Sequence, residues 1–209
     1  MNTTPFVSLK GIAKRWDGAL GVENINLDIP RGAFVALLGP SGCGKSTTLR
    51  LLAGLEIPDE GQITIEGTDI TDSAASDRNL SMVFQSYALF PHLSVLDNVL
   101  FGLNRRPRGA RRERALHMLE RVDMADYAEA FPHVLSGGQQ QQLAISRALV
   151  TNPSILVLDE PTEGIQPNVI TEIGKVIRRL VEERNLAVLL VEQYVDFVRE
   201  FADSFHVMN

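Results

Sequence analysis

Gly39-Pro40-Ser41-Gly42-Cys43-Gly44-Lys45-Ser46-Thr47 follows the spacing Gly-x4-Gly-Lys-Ser. Each residue type in it suits a polyphosphate. Glycines let the backbone close around phosphate oxygens with its N–H groups turned inward. A helix beginning near Lys45 presents its positive N-terminal end to the same anion. In this arrangement Lys45 bridges the β- and γ-phosphates, the Ser46 hydroxyl ligates Mg²⁺, and Thr47 reaches the α-phosphate. Lys45 is the only side-chain cation of the loop, and it is expected to face solvent when no nucleotide is bound. Cys43, the single cysteine of the chain, holds a variable position of the motif and is expected to offer only its backbone N–H. The implied chemistry is binding of a nucleoside triphosphate.

A second group stands 113 positions after Ser46. Asp159 and Glu160 follow the apolar run Ile155-Leu156-Val157-Leu158. A carboxylate at the end of a buried strand can hold Mg²⁺ directly or through water. Glu160 is expected on the opposite side of the strand end, where it can orient and deprotonate an attacking water. Together the two groups describe phosphoryl transfer to water.

The elements that must position these residues are legible in outline. Residues 33–38 form a continuous apolar run ending at Gly39, and 155–158 and 187–191 are two more, which suits strands buried on both faces. Residues 169–181 place Ile170, Ile173, Val176, Ile177 and Leu180 on one helical face. Strands alternating with helices predict an α/β fold with a mostly parallel sheet flanked by helices. Residues 6–9 and 25–29 alternate as short strands around the turn-rich Asp17-Gly18. Residues 95–134 are helical, with Leu116, Leu119 and Val122 along one face. The expected organisation is a single domain over 1–209, with 1–94 and 135–209 as sheet core and β subdomain and 95–134 as an inserted helical subdomain. The stretch 104–112 reads as a linker. Arg105, Arg106, Arg108, Arg111, Arg112 and Arg114 in this region suit either an anionic partner or a solvated helix start.

Composition narrows the classes. With 209 residues, 44% of them apolar, the chain can bury a sizeable core. Twenty basic against 26 acidic residues give a net charge of −6, which argues against nucleic acid as the main partner. A lone cysteine excludes an internal disulfide framework and a cysteine-rich zinc site. No apolar run is long enough to span a bilayer, and the first residues lack the blocks of a signal peptide, so a cytoplasmic protein is expected.

Leu135-Ser136-Gly137-Gly138-Gln139, followed by a helix, is the most specific feature after the phosphate loop. With Met82-Val83-Phe84-Gln85 and 155–160, it resembles the ATP-binding subunit of an ABC transporter of importer type, from Val7 to Met208. The order agrees too, Asp159 lying 23 residues beyond Ser136. The resemblance implies a phosphate-loop NTPase of ABC type with an N-terminal antiparallel β subdomain. It implies an ATPase that powers solute import, with ATP and Mg²⁺ as cofactors. Gln85 would touch Mg²⁺ or the water. Trp16 falls where the family stacks an aromatic ring, usually Tyr, on adenine. Ser136, Gly137, Gly138 and Gln139 would serve, in trans, the γ-phosphate bound to a second nucleotide-binding subunit. The implied partners are that subunit in a homodimer, membrane permease subunits at the inner face of the membrane, and indirectly a substrate-binding protein.

Two positions depart from the family pattern. Gln166 stands where an aspartate commonly bridges the dimer, and Gln193 where most members carry a histidine that contacts the γ-phosphate. His92, His117, His133 and His206 are read as ordinary loop, helix or strand residues. Thr162-Glu163-Gly164 and Val191-Glu192-Gln193 resemble ATPases of branched-chain amino-acid and urea importers, whereas 78–92 resembles those of sugar, polyamine and phosphonate importers. The parts before and after about residue 134 thus point to different relatives, a pattern that a natural mosaic, an engineered chimera or chance divergence could each produce. The sequence ends just after the expected final strand, where sugar-importer ATPases often add a β-rich domain. An ATP-gated dimerisation module with little turnover is the alternative function that Gln166 and Gln193 leave open.

Overall fold

The computed structural model describes residues 5–16, 19–103 and 110–208. The three continuous apolar runs become β3 (Phe34–Leu38), β7 (Ile155–Asp159) and β8 (Ala187–Val191). With β6 (Leu80–Val83) and β9 (Ser204–Val207) they form a parallel sheet in the order β6-β7-β8-β3-β9. Side-chain alternation explains why these strands carry no polar stripe. Phe34, Ala36, Leu156, Leu158, Val188 and Leu190 enter one core, and Val35, Leu37, Ile155, Val157, Leu189 and Val191 enter the other.

The first core is closed by α4 (Gly137–Leu149), α5 (Pro167–Arg184) and α6 (Val195–Phe201), and it extends into α2 (Val95–Phe101) and α3 (Arg111–Glu120). The second is closed by α1 (Lys45–Ala53) and by an antiparallel sheet, order β2-β1-β4-β5, made of β1 (Val7–Trp16), β2 (Ala19–Ile29), β4 (Glu60–Ile65) and β5 (Thr68–Asp69). Arg78, 2% exposed, donates to the carbonyls of Leu51, Leu52, Thr71 and Ser73. At the last turn of α1 it meets the Leu52 carbonyl and shares the Leu51 carbonyl with the Gly54 N–H, and so anchors the helix behind the phosphate loop.

Several sequence expectations need adjustment. The strands expected at 6–9 and 25–29 run on to Trp16 and begin at Ala19, because an antiparallel ladder with register shifts after Leu9 carries the pairing through polar residues. The β4–β5 hairpin carries no long apolar run, and it draws its stability from pairing with β1. In 95–134 the described residues are helix and 3₁₀ turn, as expected; Leu119 and Val122 are buried with Ala115 and Met118, while Leu116 is half-buried. Arg111 and Arg112 open α3 instead of lying in a linker. Arg112 pairs with Glu129 at 3.5 Å and Arg114 donates to the Val150 carbonyl at 2.8 Å, so both are engaged by the chain's own groups. Asp17-Gly18, Arg105, Arg106 and Arg108 lie outside the described residues.

Candidate functional site

In a parallel sheet all strands deliver their following loops to one end, where ligands of open α/β sheets collect. Here the loops after β3, β6, β7 and β8 carry the phosphate loop, Gln85, Asp159-Glu160 and Gln193. A cleft of about 560 Å³ results, lined by Trp16, Ser41, Gly42, Gly44, Lys45, Ser46, Thr47, Gln85, Glu160, Glu163 and Gln193 among others.

The phosphate loop needs glycine at a specific place. Gly44 has φ 96°, and a Cβ there would lie 2.2 Å from Val22 Cγ1. Such a side chain is excluded by both conformation and space. Lys45 is 5% exposed, contrary to the expected solvent-facing cation. Its Nζ donates to the carbonyls of Gly39 at 2.7 Å and Pro40 at 2.9 Å, since a buried ammonium must find acceptors. Cys43 turns aside to line a neighbouring cavity with Met208 and Val22.

Ser46 Oγ donates to Asp159 Oδ1 at 3.0 Å. The hydroxyl and carboxylate oxygens are the donor set a hard divalent cation takes. Among the described residues no group of three or more His, Cys, Asp or Glu is placed to hold a metal ion. Burial, foremost, and then the Glu160 charge push the Asp159 carboxyl above the ordinary carboxylate range. The Ser46 hydrogen bond and the Arg50 and Lys45 charges oppose the rise. A bound cation would offset the cost of that buried charge.

Glu160 lies beyond the end of β7, so strand alternation does not orient it. Its φ of 47°, an unusual value for a residue with a Cβ, does. The backbone N–H is fixed on the Val191 carbonyl at 2.9 Å, and Oε1 accepts a hydrogen bond from Gln193 Nε2 at 2.8 Å. Gln85 Nε2 donates to Glu163, so the Gln85 amide oxygen is the side-chain atom that could meet a cation. Trp16, 41% exposed, closes the cleft at the end of β1. Its ring lies against Gly21, where a Cβ would come within 2.1 Å of Cζ3, so only glycine lets the ring lie there.

The remaining predicted residues are elsewhere. Ser136 is the N-cap of α4; its hydroxyl accepts from the Gln139 N–H at 3.3 Å, and Gln139 Oε1 accepts from the Ser136 N–H at 2.9 Å. This capping box opens the helix with Gly137 exposed and Gly138 packed against Val169. Ser136 and Gln139 line a separate cavity with residues of α5, away from the phosphate loop. Gln166 is the N-cap of α5 and makes no side-chain cap bond. The four histidines are exposed and line none of the phosphate-loop cleft.

A model of the ABC transporter family matches residues 22–163. The chain belongs to the ABC transporter family. Similar curated proteins include the Fe(3+) ions import ATP-binding protein FbpC of Photorhabdus laumondii, 42% identical over 211 residues and 100% of this chain. The sulfate/thiosulfate import ATP-binding protein CysA of Pseudomonas aeruginosa is 42% identical over 97% of this chain. The chain spans 60% and 64% of the lengths of these two relatives. Among solved structures, a post-hydrolysis dimer of the ATP-binding cassette MJ0796 bound to ADP and Pi superposes with a TM-score of 0.86 at 34% identity, over 97% of this chain and 94% of that one. A nucleotide-free cassette from an ABC transporter gives 0.90 at 26%, covering 97% and 87%. The parallel sheet with helices and the antiparallel subdomain are therefore those of the ABC cassette, and ATP is the nucleotide this family binds.

Two residues beside the cleft carry no separate chemical signal in the sequence: Glu163 holds Gln85, and Glu192 is 2% exposed beside Gln193. The signal for Glu192 is positional only, a carboxylate directly following the fully apolar run 187–191.

Proposed function

We propose that this chain binds Mg-ATP in the cleft and hydrolyses it, as the cassette that drives solute import through a permease. The observation that carries the proposal is the convergence of Lys45, the Ser46–Asp159 pair and the Gln193-bonded Glu160 on one cleft. Lys45 leaves the Gly39 and Pro40 carbonyls for the β- and γ-phosphates, and Ser46, Asp159 and the Gln85 oxygen would hold Mg²⁺. When bound, the cation neutralises charge on the phosphate oxygens. Glu160 accepts the proton of the attacking water while Gln193 keeps its carboxylate in place. Trp16 stacks on the adenine.

Ser136–Gln139 lie outside this cleft, and the exposed Gly137 at the start of α4 suits the γ-phosphate of a second subunit. A homodimer is supported by the dimeric cassette that this chain resembles. Import as the direction is supported by the names of the curated relatives. Sharing of one core between the sheet and α2 and α3 supports a single domain over 1–209, with 95–134 inserted. A two-part origin divided near residue 134 rests on motif resemblance alone, 78–92 to one group of importer ATPases and Thr162-Glu163-Gly164 with Val191-Glu192-Gln193 to another.

The test is steady-state ATP hydrolysis by the parent and Glu160→Gln. Glutamine keeps an oxygen for Gln193 to donate to but cannot act as base. Turnover should fall by about 10²- to 10⁴-fold, and size-exclusion chromatography with ATP should show the variant as a dimer. Unchanged turnover, with a monomer at saturating ATP, refutes the proposal.

A further inference from the structure

Glu192 carries a carboxylate that is 2% exposed, one residue beyond β8, and every one of its acceptor positions is used. Oε1 accepts from the Thr162 N–H at 3.0 Å and the Thr162 hydroxyl at 2.7 Å. Oε2 accepts from the N–H groups of Gln193 at 2.9 Å and Tyr194 at 3.1 Å. A carboxylate offers about four lone-pair sites, so this one is saturated. The hydrogen bonds are charge-assisted and act in a water-poor setting, where each is stronger than at the surface.

The consequence is geometric. Thr162 is two residues after Glu160, and Gln193 directly follows Glu192. The Gln193–Glu160 bond therefore closes a ring, running from Glu160 through Pro161 to Thr162, across to Glu192, on to Gln193 and back to Glu160. Without the Glu192 clamp, the loops after β7 and β8 would share one backbone bond, Glu160 N–H to the Val191 carbonyl, and the side-chain pair at the cleft. Glu160 holds a φ of 47°, which persists only where neighbouring contacts over-determine it.

We propose that Glu192 is a positioning residue for hydrolysis: by tying Thr162 to the Gln193 turn, it sets the Gln193 amide against the Glu160 carboxylate. The inference rests on Glu160 acting as base. A neutral amide has no charge with which to hold Glu160, so its place must be fixed by the loop that bears it.

The test is a cycle of Glu192→Gln, Gln193→Ala and the double variant, read as kcat, KM for ATP and melting temperature. Glu192→Gln keeps the shape but turns an NH₂ toward backbone N–H donors. It should lower kcat about tenfold or more with KM within about twofold, since at least one backbone N–H loses its acceptor and about 1.4 kcal/mol is tenfold. Because both residues act through the Gln193–Glu160 bond, the double variant should be no slower than Gln193→Ala. Thr162→Ser, which keeps the hydroxyl, should retain parental turnover, and Thr162→Val should lose it without losing nucleotide affinity. The Thr162 pair decides the matter if Glu192→Gln fails to fold. Single effects that multiply in the double variant, or parental kcat in both Glu192→Gln and Thr162→Val, overturn the inference. A parent whose turnover ignores Glu160→Gln overturns the base reading and this inference with it. Turnover that needs Glu160 but not Glu192 overturns only the latter.

Discussion

Gln193 is the residue whose replacement measures the most. Its Nε2 sits 2.8 Å from Glu160 Oε1, and an amide nitrogen carries two hydrogens, so one holds the carboxylate while the other remains for the cleft that Gln193 lines. Truncation to alanine removes a hydrogen bond to a charged acceptor, worth about 1.5 to 3 kcal/mol. If that contact persists into the transition state, kcat falls by about 10- to 150-fold at roughly 1.4 kcal/mol per tenfold, with KM little changed. Gln193→Glu is harsher. Two carboxylates about 4 Å apart repel by about 4 kcal/mol at an effective dielectric of 20, so the pair retains a proton that single carboxylates would release. Its activity should be low at neutral pH and recover as pH rises. Gln193→His should retain turnover above about pH 6.5 and gain an ionisation step near it, absent from the parent at this position. Phosphate release across roughly pH 5.5–9, which brackets the imidazole value, distinguishes these outcomes. Gln193→Ala hydrolysing ATP as fast as the parent would refute the reasoning, because the bond to Glu160 would then contribute nothing to the reaction.

Lys45→Ala should weaken Mg-ATP by about 10- to 150-fold for each lost charge-assisted phosphate contact, with the fold retained. Titration of the fluorescence of Trp16, the only tryptophan, reads this, and parental affinity counts against the loop assignment. For Asp159 the raised carboxyl sets the sign. The folded chain binds its proton more readily than the unfolded one, so ionisation subtracts stability as pH rises through the folded titration. Asp159→Asn should therefore raise the melting temperature of the nucleotide-free chain at neutral pH, by roughly 2–4 °C per kcal/mol relieved. The same variant should lose the Mg²⁺ dependence of nucleotide binding. In the parent that dependence should fade on acidification at a higher pH than an ordinary aspartate would give, because protons and Mg²⁺ compete for the carboxylate. Melting curves with and without Mg²⁺ between roughly pH 4 and 8, from the carboxylate range upward, check both.

The chemistry of the loop was legible in the sequence because it depends on local backbone. Gly44 must adopt φ 96° wherever the loop is used, and Lys45 and Ser46 begin the helix that faces the phosphates. The same holds for Ser136 and Gln139, whose capping box is a spacing of three residues. Strands β3, β7 and β8 were equally plain, since burial on both faces leaves only apolar side chains to choose from. Partnership was not legible. That Lys45 turns inward to Gly39 and Pro40, that Gln85 meets Glu163, and that Thr162, Glu192, Gln193 and Glu160 close a ring depend on strands far apart in sequence lying side by side. The pairing of β7 with β8 joins residues about 30 positions apart, and no periodicity encodes which side chains then meet. Sequence specifies groups by type and local spacing; only the tertiary structure decides which donor faces which acceptor, because hydrogen bonds act over about 3 Å and form only where packing has already brought the chains together.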